Sequence, residues 1–414
     1  MVSRKFRAAA VAAVFALLTA GVAAAEPPGA ADVEKGELLR VGGSSYPRLV
    51  RLEHSDAANG GAADGRVLAS MTTYADRTGF AVIHESRDDG ATFRRIGEIR
   101  DPAGEDERGM CCSTLYELPR RVGDMPAGTL LWAGTAGIGA DAEQRRSSIR
   151  VWRSDDHGRT WSFLSTVVEA PVGPGVWEPE FTVTEDGDLA VFYSDDGDPA
   201  HDQKLVQSRS SDGIRWSAPR ETVTHPDFAV RPGMAGVRRL PDGTYVMVYE
   251  FCNYDPVHVC TVWTRTSEDG WDFGPPGALG TEVVSETGTQ PLGTPTISTT
   301  PDGGLLLGYQ MLAHDRGGLA PGNGRTLLHD PDPSAPGGWR EIPAPVRISY
   351  NQGGTCRNFS PTTLPTADGE SVIHVTTDFE HYIGGPCEAF VGVGPIGGAD
   401  ASGPGVPPHP LDGS

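Results

Sequence analysis

A turn dipeptide followed by an apolar run recurs six times along this chain of 414 residues. An Asp-Gly pair between two apolar runs predicts a β-hairpin, because both central residues of a type I′ turn need positive φ. The glycines of the six dipeptides are 56 to 66 residues apart, which predicts four strands per repeat and an all-β six-bladed propeller of four-stranded antiparallel blades. The dipeptides are Asp64-Gly65, Ala127-Gly128, Asp186-Gly187, Asp242-Gly243, Asp302-Gly303 and Asp368-Gly369.

A second turn motif follows four of these hairpins. The four segments are Ser86–Phe93, Ser154–Trp161, Ser210–Trp216 and Ser267–Phe273. They resemble Asp-boxes, the S-x-D-x-G-x-[TS]-[WF] turns between the outer strands of sialidase-type propeller blades. In such a turn the Asp accepts from backbone amides, the Gly takes the left-handed conformation and the aromatic residue packs between sheets. We therefore expect these segments to be structural and assign them no chemistry.

The N-terminal segment predicts export, and the composition of the C-terminal segment predicts disorder. Three cationic residues, an apolar run and small residues before Glu26 form the pattern of a secretory signal over 1–25. We expect a linker over 26–35, the propeller over 36–396 with the run 36–41 as outer strand of the last blade, and a disordered tail over 397–414. No later stretch has the roughly 20 apolar residues of a membrane helix. The sequence thus predicts a secreted protein without a membrane partner.

Net charge and cysteine content limit the kinds of ligand and the cellular compartment that suit this protein. A formal net charge of −21 argues against nucleic acid. Six cysteines in an exported chain predict disulfides, although sequence alone allows 15 connectivities. Short loops favour Cys252–Cys260 and Cys356–Cys387, which leaves Cys111 and Cys112 either as a vicinal pair or as thiols. No metal-ligand spacing occurs, so we expect no metal and no cofactor. We also expect the protein to be a monomer.

Strand length predicts which residues share one face of the disc. Eight residues at about 3.3 Å each cross a blade once, so positions about eight before or after a hairpin glycine lie on the rim opposite the hairpins. Flanking aromatic residues could stack on a sugar ring. The rule selects Glu178, Asp195, Glu250, Gln310 and Ser360, with Arg48 and Arg231 entering from loops and Trp177, Tyr193, Tyr249 and Tyr309 as flanking aromatics.

Two of these residues have the chemistry of a glycosidase. Glu178 and Glu250 come from neighbouring blades, and glycoside hydrolysis needs one protonated acid and one carboxylate. Desolvation beside Trp177 or Tyr249 would raise the pKa of either glutamate. The alternative is that both are surface or ion-paired strand ends, and spacing alone leaves the two interpretations about even.

The region from Trp177 to Glu250 also resembles a known family. The matching runs are Trp177-Glu178-Pro179, Val191–Asp195, Arg231–Met234, Leu240–Gly243 and Tyr249-Glu250, with a looser match at Asn358–Pro361. They resemble glycoside hydrolase family 93, whose members are exo-α-1,5-L-arabinanases built on a six-bladed propeller.

The resemblance implies a retaining enzyme that releases arabinobiose from linear α-1,5-linked L-arabinan. Glu178 would be the general acid/base and Glu250 the nucleophile, while Glu180 ranks second to Glu178. Three features depart from the family pattern: Phe359, where tyrosine is more usual, Glu180, where an apolar residue is more usual, and the loop between Cys252 and Cys260. The substrate contacts expected are Arg48, Trp177, Asp195, Arg231, Tyr249, Gln310, Asn358 and Ser360.

Two other functions remain open at this point. An exo-sialidase shares the fold and binds its acidic substrate with three arginines, for which Arg48, Arg231 and Arg357 are available. A lectin-like propeller would bind sugar without hydrolysing it. Three loop histidines, His201, His225 and His258, are expected to be solvated or to contact sugar rather than to bind metal.

Overall fold

The computed structural model describes residues 35–40, 42–55, 63–75, 78–105, 108–139, 144–335, 337–348, 351–379 and 385–397. The predicted signal over 1–25, nearly all of the predicted linker and nearly all of the predicted tail lie outside these residues. The described residues form 26 strands and one 3-10 turn at Pro102–Gly104. None of them forms a helix long and apolar enough to cross a membrane.

Six antiparallel sheets form the six blades, as the hairpin repeat predicts. The first blade contains β2 (Ser44–Arg51), β3 (Val67–Ala75), β4 (Thr78–Ser86) and β5 (Arg94–Ile99). The second contains β6 (Met110–Glu117), β7 (Leu130–Ala136), β8 (Ser148–Ser154) and β9 (Ser162–Glu169). The third contains β10 (Val176–Val183), β11 (Leu189–Asp195), β12 (Lys204–Ser210) and β13 (Arg220–Val223).

The remaining blades follow the same order with one addition. The fourth contains β14 (Arg231–Arg239), β15 (Tyr245–Cys252), β16 (Cys260–Ser267) and β17 (Thr281–Glu282). An added antiparallel pair of strands, β18 (Thr289–Leu292) and β21 (Met311–His314), joins its sheet at Thr261. The fifth contains β19 (Thr296–Thr299), β20 (Leu305–Gly308), β22 (Thr326–Asp330) and β23 (Arg340–Pro343). The sixth contains β24 (Thr362–Pro365), β25 (Ser371–Phe379), β26 (Cys387–Pro395) and β1 (Glu37–Arg40).

An N-terminal strand closes the ring, as the sequence predicts. Strand β1 pairs with β26 through Glu37 opposite Val391 and Leu38 opposite Phe390, and so becomes the outermost strand of the last blade. The first strands of neighbouring blades contact each other around a closed circle, from β2 through β6, β10, β14, β19 and β24 back to β2. This arrangement leaves the first strand of every blade at the axis.

Apolar side chains fill the spaces between adjacent blades. Leu68 and Ile83 of the first blade pack with Leu130 and Trp132 of the second, and all four are fully buried. Sheets packed face to face in this way bury most of their apolar surface and expose only short edges.

The predicted turn segments share one hydrogen-bond pattern. In the first, the Ser86 hydroxyl accepts the Gly90 amide at 2.8 Å and Asp88 accepts the Thr92 amide at 2.9 Å, with Gly90 at a φ of 90°. The second repeats these contacts with Ser154 and Asp156. The terminal aromatic residues pack in the cores between blades, as Trp161 and Phe273 do. The serine and aspartate side chains of the first two turns are thus engaged in hydrogen bonds within the turns themselves.

Each blade has a non-glycine residue in the left-handed conformation at one equivalent position, either within its inner strand near the start or two residues before it. The register of β2, β6, β10 and β14 shifts at these residues, which marks a β-bulge. Bulges re-aim side chains, and left-handed non-glycine residues cost about 1–3 kcal/mol each and concentrate at functional sites. We call the six residues the mouth ring: Tyr46 (φ 50°), Cys112 (63°), Glu178 (60°), Met234 (53°), Thr294 (48°) and Ser360 (51°).

Candidate active site

Glu178 is the mouth-ring residue of the third blade. Its Oε1 accepts a hydrogen bond from the Tyr46 hydroxyl at 3.2 Å, and its Oε2 accepts one from the Ser194 hydroxyl at 3.0 Å. Tyr46 belongs to the first blade, whereas Ser194 lies on β11 beside the bulge. The carboxyl group is thus held from two directions, by donors that favour its ionised form.

Glu250 lies on β15, where it is paired with Gly233 of the inner strand β14. Its side chain is buried, with 8% of the residue exposed. Oε2 accepts the backbone amide of Thr294, the mouth-ring residue of the fifth blade, at 2.6 Å. Glu250 therefore bridges the fourth and fifth blades, while Glu178 is held between the first and third.

Ser194 and Gly233 connect the two carboxyl groups. A Cβ atom placed on Gly233 would lie 3.4 Å from Ser194 Oγ and 3.6 Å from Glu250 Oε1. The same Ser194 hydroxyl donates to Glu178. Ser194 thus contacts Glu178 and lies near the backbone that packs against Glu250, and the charge of Glu178 acts on Glu250, so the two predicted glutamates lie in one site.

The two carboxyl groups differ in how strongly their protons are held. Burial and, second to it, the charge of Glu178 raise the pKa of Glu250 to about 7, against the lowering effect of the Thr294 amide. Burial also raises the pKa of Glu178, but the hydrogen bonds from Ser194 and Tyr46 and the charge of Arg48 oppose that rise. Because the charge of Glu178 acts on Glu250, the two carboxyl groups titrate as a coupled pair.

Glu180 is held in a different environment from Glu178. Arg238 donates to its Oε1 in an ion pair, and the Thr114 hydroxyl donates to its Oε2 at 2.9 Å. Its carboxyl oxygens are thus engaged by the two neighbouring blades. This arrangement favours Glu178 over Glu180 as the reacting residue.

Arg48 lies beneath the mouth ring rather than in open solvent. It lines a narrow axial cavity together with Glu178, Glu180 and Arg238. Its guanidinium group stands 5.8 Å from the centre of the Tyr46 ring and donates to the Pro47 carbonyl at 2.7 Å. Arg48 therefore contributes positive charge below Glu178.

Three of the predicted substrate contacts lie around the mouth with part of their surface exposed. The Trp177 indole donates to Asp196 at 3.1 Å, and the Arg145 guanidinium lies 5.1 Å from its ring centre. Asp195 accepts the Gly197 amide at 2.8 Å, and burial raises the pKa of its carboxyl group. Arg231 is engaged by Asp202 at 2.6 Å and by Gln203 at 2.6 Å.

The tyrosines expected to stack on a sugar are instead inside the blades. Tyr193, Tyr249 and Tyr309 are at most 1% exposed, so both faces of each ring are covered by protein. Successive strand residues point to opposite sides of a sheet, and each of these rings points into an interblade core while its neighbour points to the mouth. The Tyr249 hydroxyl contacts the Leu279 carbonyl and accepts from Arg265 at 3.2 Å. Among the predicted stacking residues, only Trp177 keeps an exposed portion.

The remaining predicted contacts are buried next to Glu250. Gln310 donates to the Arg357 carbonyl at 3.2 Å, and its Oε1 lies near Gly293, as does Glu250 Oε2. The Asn358 side-chain nitrogen donates to the Tyr309 and Gln310 carbonyls, and its side-chain oxygen accepts from the Thr376 hydroxyl. Both ends of this side-chain amide therefore have protein partners. Ser360 donates its amide to the Thr294 hydroxyl at 2.9 Å. These residues support the fifth and sixth blades at the mouth.

The three arginines considered for a sialidase site each have their own partners. Arg48 donates to the Pro47 carbonyl, Arg231 pairs with Asp202, and Arg357 lies 3.6 Å from Asp378. Three arginines that bind one carboxylate would need to turn to a common point. The structure does not show such a convergence among the described residues.

The loop histidines and acidic clusters have local partners. His258 contacts the His314 carbonyl at 2.9 Å, and His225 packs its ring edge against Phe251 and Tyr254. His201, Asp198 and Glu221 bring ligand atoms together, but the Lys204 ammonium already pairs with both carboxylates. Glu250 lies similarly near Cys252 and Cys260, whose sulfurs are joined in a disulfide.

All six cysteines are paired. The structure contains Cys252–Cys260 and Cys356–Cys387, as the short loops favoured, and Cys111–Cys112 as a vicinal disulfide. Reasoning from the sequence did not select Tyr46, Ser194 or Thr294 as site residues. A signal for Thr294 was present, because Thr294 lies nine residues before a hairpin glycine, as Glu178 does.

Comparison with known proteins shows which solved structures share this fold. No protein-family profile matches the sequence, and no curated protein matches it at a significant level. The structure resembles the family 93 α-L-arabinofuranosidase of Fusarium graminearum bound to arabinobiose, with a TM-score of 0.70 and 23% identity over 87% of this chain and 97% of the other. It also resembles the Penicillium chrysogenum α-L-arabinanase bound to arabinobiose, with a TM-score of 0.67 and 25% identity over 85% and 93%. A protein of unknown function from Dyadobacter fermentans follows at a TM-score of 0.55 and 15% identity over 85% and 94%.

The fold and the site together define a six-bladed propeller with two carboxyl groups, the half-buried Glu178 and the buried Glu250, at one end of its axis. The propeller has the architecture of glycoside hydrolase family 93, so the resemblance indicated by the sequence motifs is confirmed in the fold.

Proposed function

We propose that this protein is a secreted retaining glycoside hydrolase that acts from the chain end of linear α-1,5-linked L-arabinan and releases arabinobiose. The observation that carries the proposal is the pairing of Glu178 and Glu250 through Ser194 and Gly233. Hydrogen bonds from Ser194 and Tyr46 oppose the rise of the Glu178 pKa, whereas the pKa of Glu250 is raised to about 7, so the two interacting groups can supply one acid and one carboxylate. The solved relatives that bind arabinobiose support arabinan as the substrate class.

The roles of the two glutamates follow from the family resemblance. Glu178 is the general acid/base and Glu250 the nucleophile. In the free site the order of proton affinity runs the other way, because Glu178 receives two side-chain hydrogen bonds and Glu250 one amide. Positive charge that develops on the anomeric carbon beside Glu250 in the transition state would favour the ionised form of Glu250, and Glu178 would then hold the proton that the leaving group receives.

Export is part of the same proposal. The N-terminal pattern of charge and hydrophobicity supports it. Three disulfides without a free cysteine among the described residues also suit an oxidising compartment.

The direct test is hydrolysis of linear arabinan, debranched arabinan and a sialoside by the wild-type protein and two variants. We expect arabinobiose from the arabinans only, and we expect Glu178→Gln and Glu250→Gln each to lower kcat by a factor of about 10³ or more. Thermal unfolding should show that both variants remain folded. Full activity in either folded variant would remove that residue from the mechanism.

Azide separates the two roles. A retaining enzyme without its acid/base gives a glycosyl azide with the anomeric configuration of the substrate, whereas one without its nucleophile gives the opposite configuration. We expect Glu178→Ala to give the first product and Glu250→Ala the second, as resolved by proton NMR. Exchanged products would reverse the two roles, and an inverted sugar released by the wild type would exclude retention.

A further inference from the structure

A vicinal disulfide lies within the mouth ring. Cys112 occupies in the second blade the position that Glu178 occupies in the third, and both residues have left-handed backbone conformations. Cys112 is bonded to its neighbour Cys111, and the two residues are only 4% and 8% exposed. The register of β6 shifts between Cys111 and Thr114, so the disulfide spans the bulge itself.

This disulfide cannot stabilise the fold by closing a long loop. A disulfide stabilises a fold mainly by closing a loop in the unfolded chain, and this effect grows with loop length. The sequence separation of Cys111 and Cys112 is 1, whereas that of Cys356 and Cys387 is 31. The vicinal bond therefore constrains the local backbone at the bulge and little else.

The two cysteines pack against Tyr46, which holds Glu178. Cys111, Cys112, Tyr46 and Met234 form one buried apolar cluster, with Trp177 and Phe359 packed on it. Phe359 meets the Tyr46 ring edge-on, with 5.3 Å between the ring centres. The Tyr46 ring is thus enclosed by neighbours that fix its direction, and its hydroxyl points at Glu178 Oε1, 3.2 Å away.

We propose that the Cys111–Cys112 disulfide is a positioning element of the active site, which holds the second-blade bulge and thereby keeps the Tyr46 hydroxyl on Glu178. This inference rests on the proposed function for its catalytic consequence, but not for its structural one. The charged and titratable groups that act on Glu178 are Tyr46, Arg48 and Glu250. Among these, Tyr46 is the group whose position depends on the disulfide.

Two disulfide variants and one hydroxyl variant test the proposal. In Cys111→Ala/Cys112→Gly, glycine accepts the left-handed conformation without strain, so the fold is favoured although the constraint is gone. Cys111→Ala/Cys112→Ala removes the same bond without that backbone freedom. Tyr46→Phe keeps the ring and removes only the hydrogen bond. Cys356→Ala/Cys387→Ala is the control for loss of a disulfide elsewhere.

The first readout is the titration of the Glu178 carboxyl carbon by ¹³C NMR, assigned with Glu178→Gln. Loss of the Tyr46 hydrogen bond should raise the pKa of Glu178 in Tyr46→Phe and in both disulfide variants, while the control titrates as the wild type does. The second readout is kcat on linear arabinan, which we expect to fall about tenfold or more in the disulfide variants with a smaller change in KM.

The outcomes separate this inference from the proposed function. A wild-type protein inactive on every arabinan would refute the function, and the carboxyl titration would still test the positioning. An unchanged Glu178 titration in a folded disulfide variant would overturn the inference. It would also be overturned if neither disulfide variant folds while the control does, because the bond would then serve the fold alone.

Discussion

The Ser194 hydroxyl donates a hydrogen bond to Glu178 Oε2 across paired strands of the third blade, with 3.0 Å between the two oxygen atoms. The same oxygen lies 3.4 Å from the Met234 amide, so it connects the bulges of the third and fourth blades. A single hydroxyl group thus orients one candidate catalytic carboxyl and faces the space next to the other.

Replacing Ser194 with alanine should lower kcat by about tenfold and raise the pKa of Glu178, since one of the two donors to its carboxylate is lost. The measurement is the pH profile of kcat/KM on linear arabinan. Ser165→Ala is a matched control, because Ser165 also donates a buried hydrogen bond, at 2.7 Å to the Gly213 carbonyl in an outer part of the propeller. An unaltered profile in Ser194→Ala would show that the hydroxyl does not tune the pair.

Gly233→Ala should lower kcat/KM by about tenfold or more and should destabilise the fold by about 1–3 kcal/mol. The new methyl group would lie 2.5 Å from Gln203 Nε2, so this buried side chain would have to move and its hydrogen bonds to the Pro232 carbonyl and from Arg231 would be disturbed. Gly277→Ala serves as the control, because nothing lies within 4 Å of its Cβ position. Equal activity of the two variants would mean that the space at Gly233 is not used by substrate.

Glu85→Gln should destabilise the protein by about 3 kcal/mol at neutral pH, because a fully buried carboxylate would no longer pair with its arginines. Arg66, Arg87, Arg94 and Arg159 all contact Glu85, and the hydrogen bonds from these arginines hold its pKa down to about 2 against the effect of burial. A depressed carboxyl pKa stabilises the fold above the unfolded value and loses this effect as pH falls towards 2.

Denaturant unfolding at a series of pH values measures this effect, and the difference between wild type and Glu85→Gln should shrink below about pH 4.5. Glu98→Gln is the control, because Glu98 pairs with Arg95 and Arg100 on the exposed surface, where ion pairs contribute little. A difference that is the same at pH 7 and pH 2 would contradict the ion-pair explanation.

Glu117→Gln should have the opposite pH dependence. Burial raises the pKa of Glu117 to about 7, although its carboxyl group accepts the Glu53 and His54 amides. A raised carboxyl pKa favours the folded state below the unfolded value of 4.5, and this contribution is lost as pH rises through 7. The stability of wild type relative to Glu117→Gln should therefore be greatest near pH 4 and should fall as the pH rises through 7. Melting temperatures that fall in parallel over this range would refute the assignment.

The architecture could be predicted from the sequence because the hairpin signal depends on local chemistry. The turns are not of the expected type I′, because only the glycine of each dipeptide has positive φ, from 72° to 99°. Few residue types other than glycine accept this conformation, so the repeat is still visible in the sequence. Strand length then placed Glu178 and Glu250 on one rim, where the structure has them. The pairing of β1 with β26 followed from counting outer strands.

The local arrangement of the site was less accessible. The sequence rule assumed regular strands, but the inner strands contain bulges, and left-handed tyrosine, cysteine or glutamate residues have no compositional signature. Tyr46 and Cys112 also precede longer hairpins than Glu178 does, which hides their equivalence. Tyr249 was misplaced because adjacent strand residues point to opposite sides, so proximity to Glu250 in sequence did not put its ring at the mouth.

The mouth ring gives this propeller six equivalent sockets, each with the same backbone bend and its own side chain. Substitution at one socket changes the chemistry presented on the axis while the hydrogen bonding of the surrounding sheet stays as it is. Here one socket holds a carboxylate, one a phenol and one half of a disulfide. A propeller of this kind can therefore acquire a new reaction by exchanging occupants of the sockets, without any rearrangement of its blades.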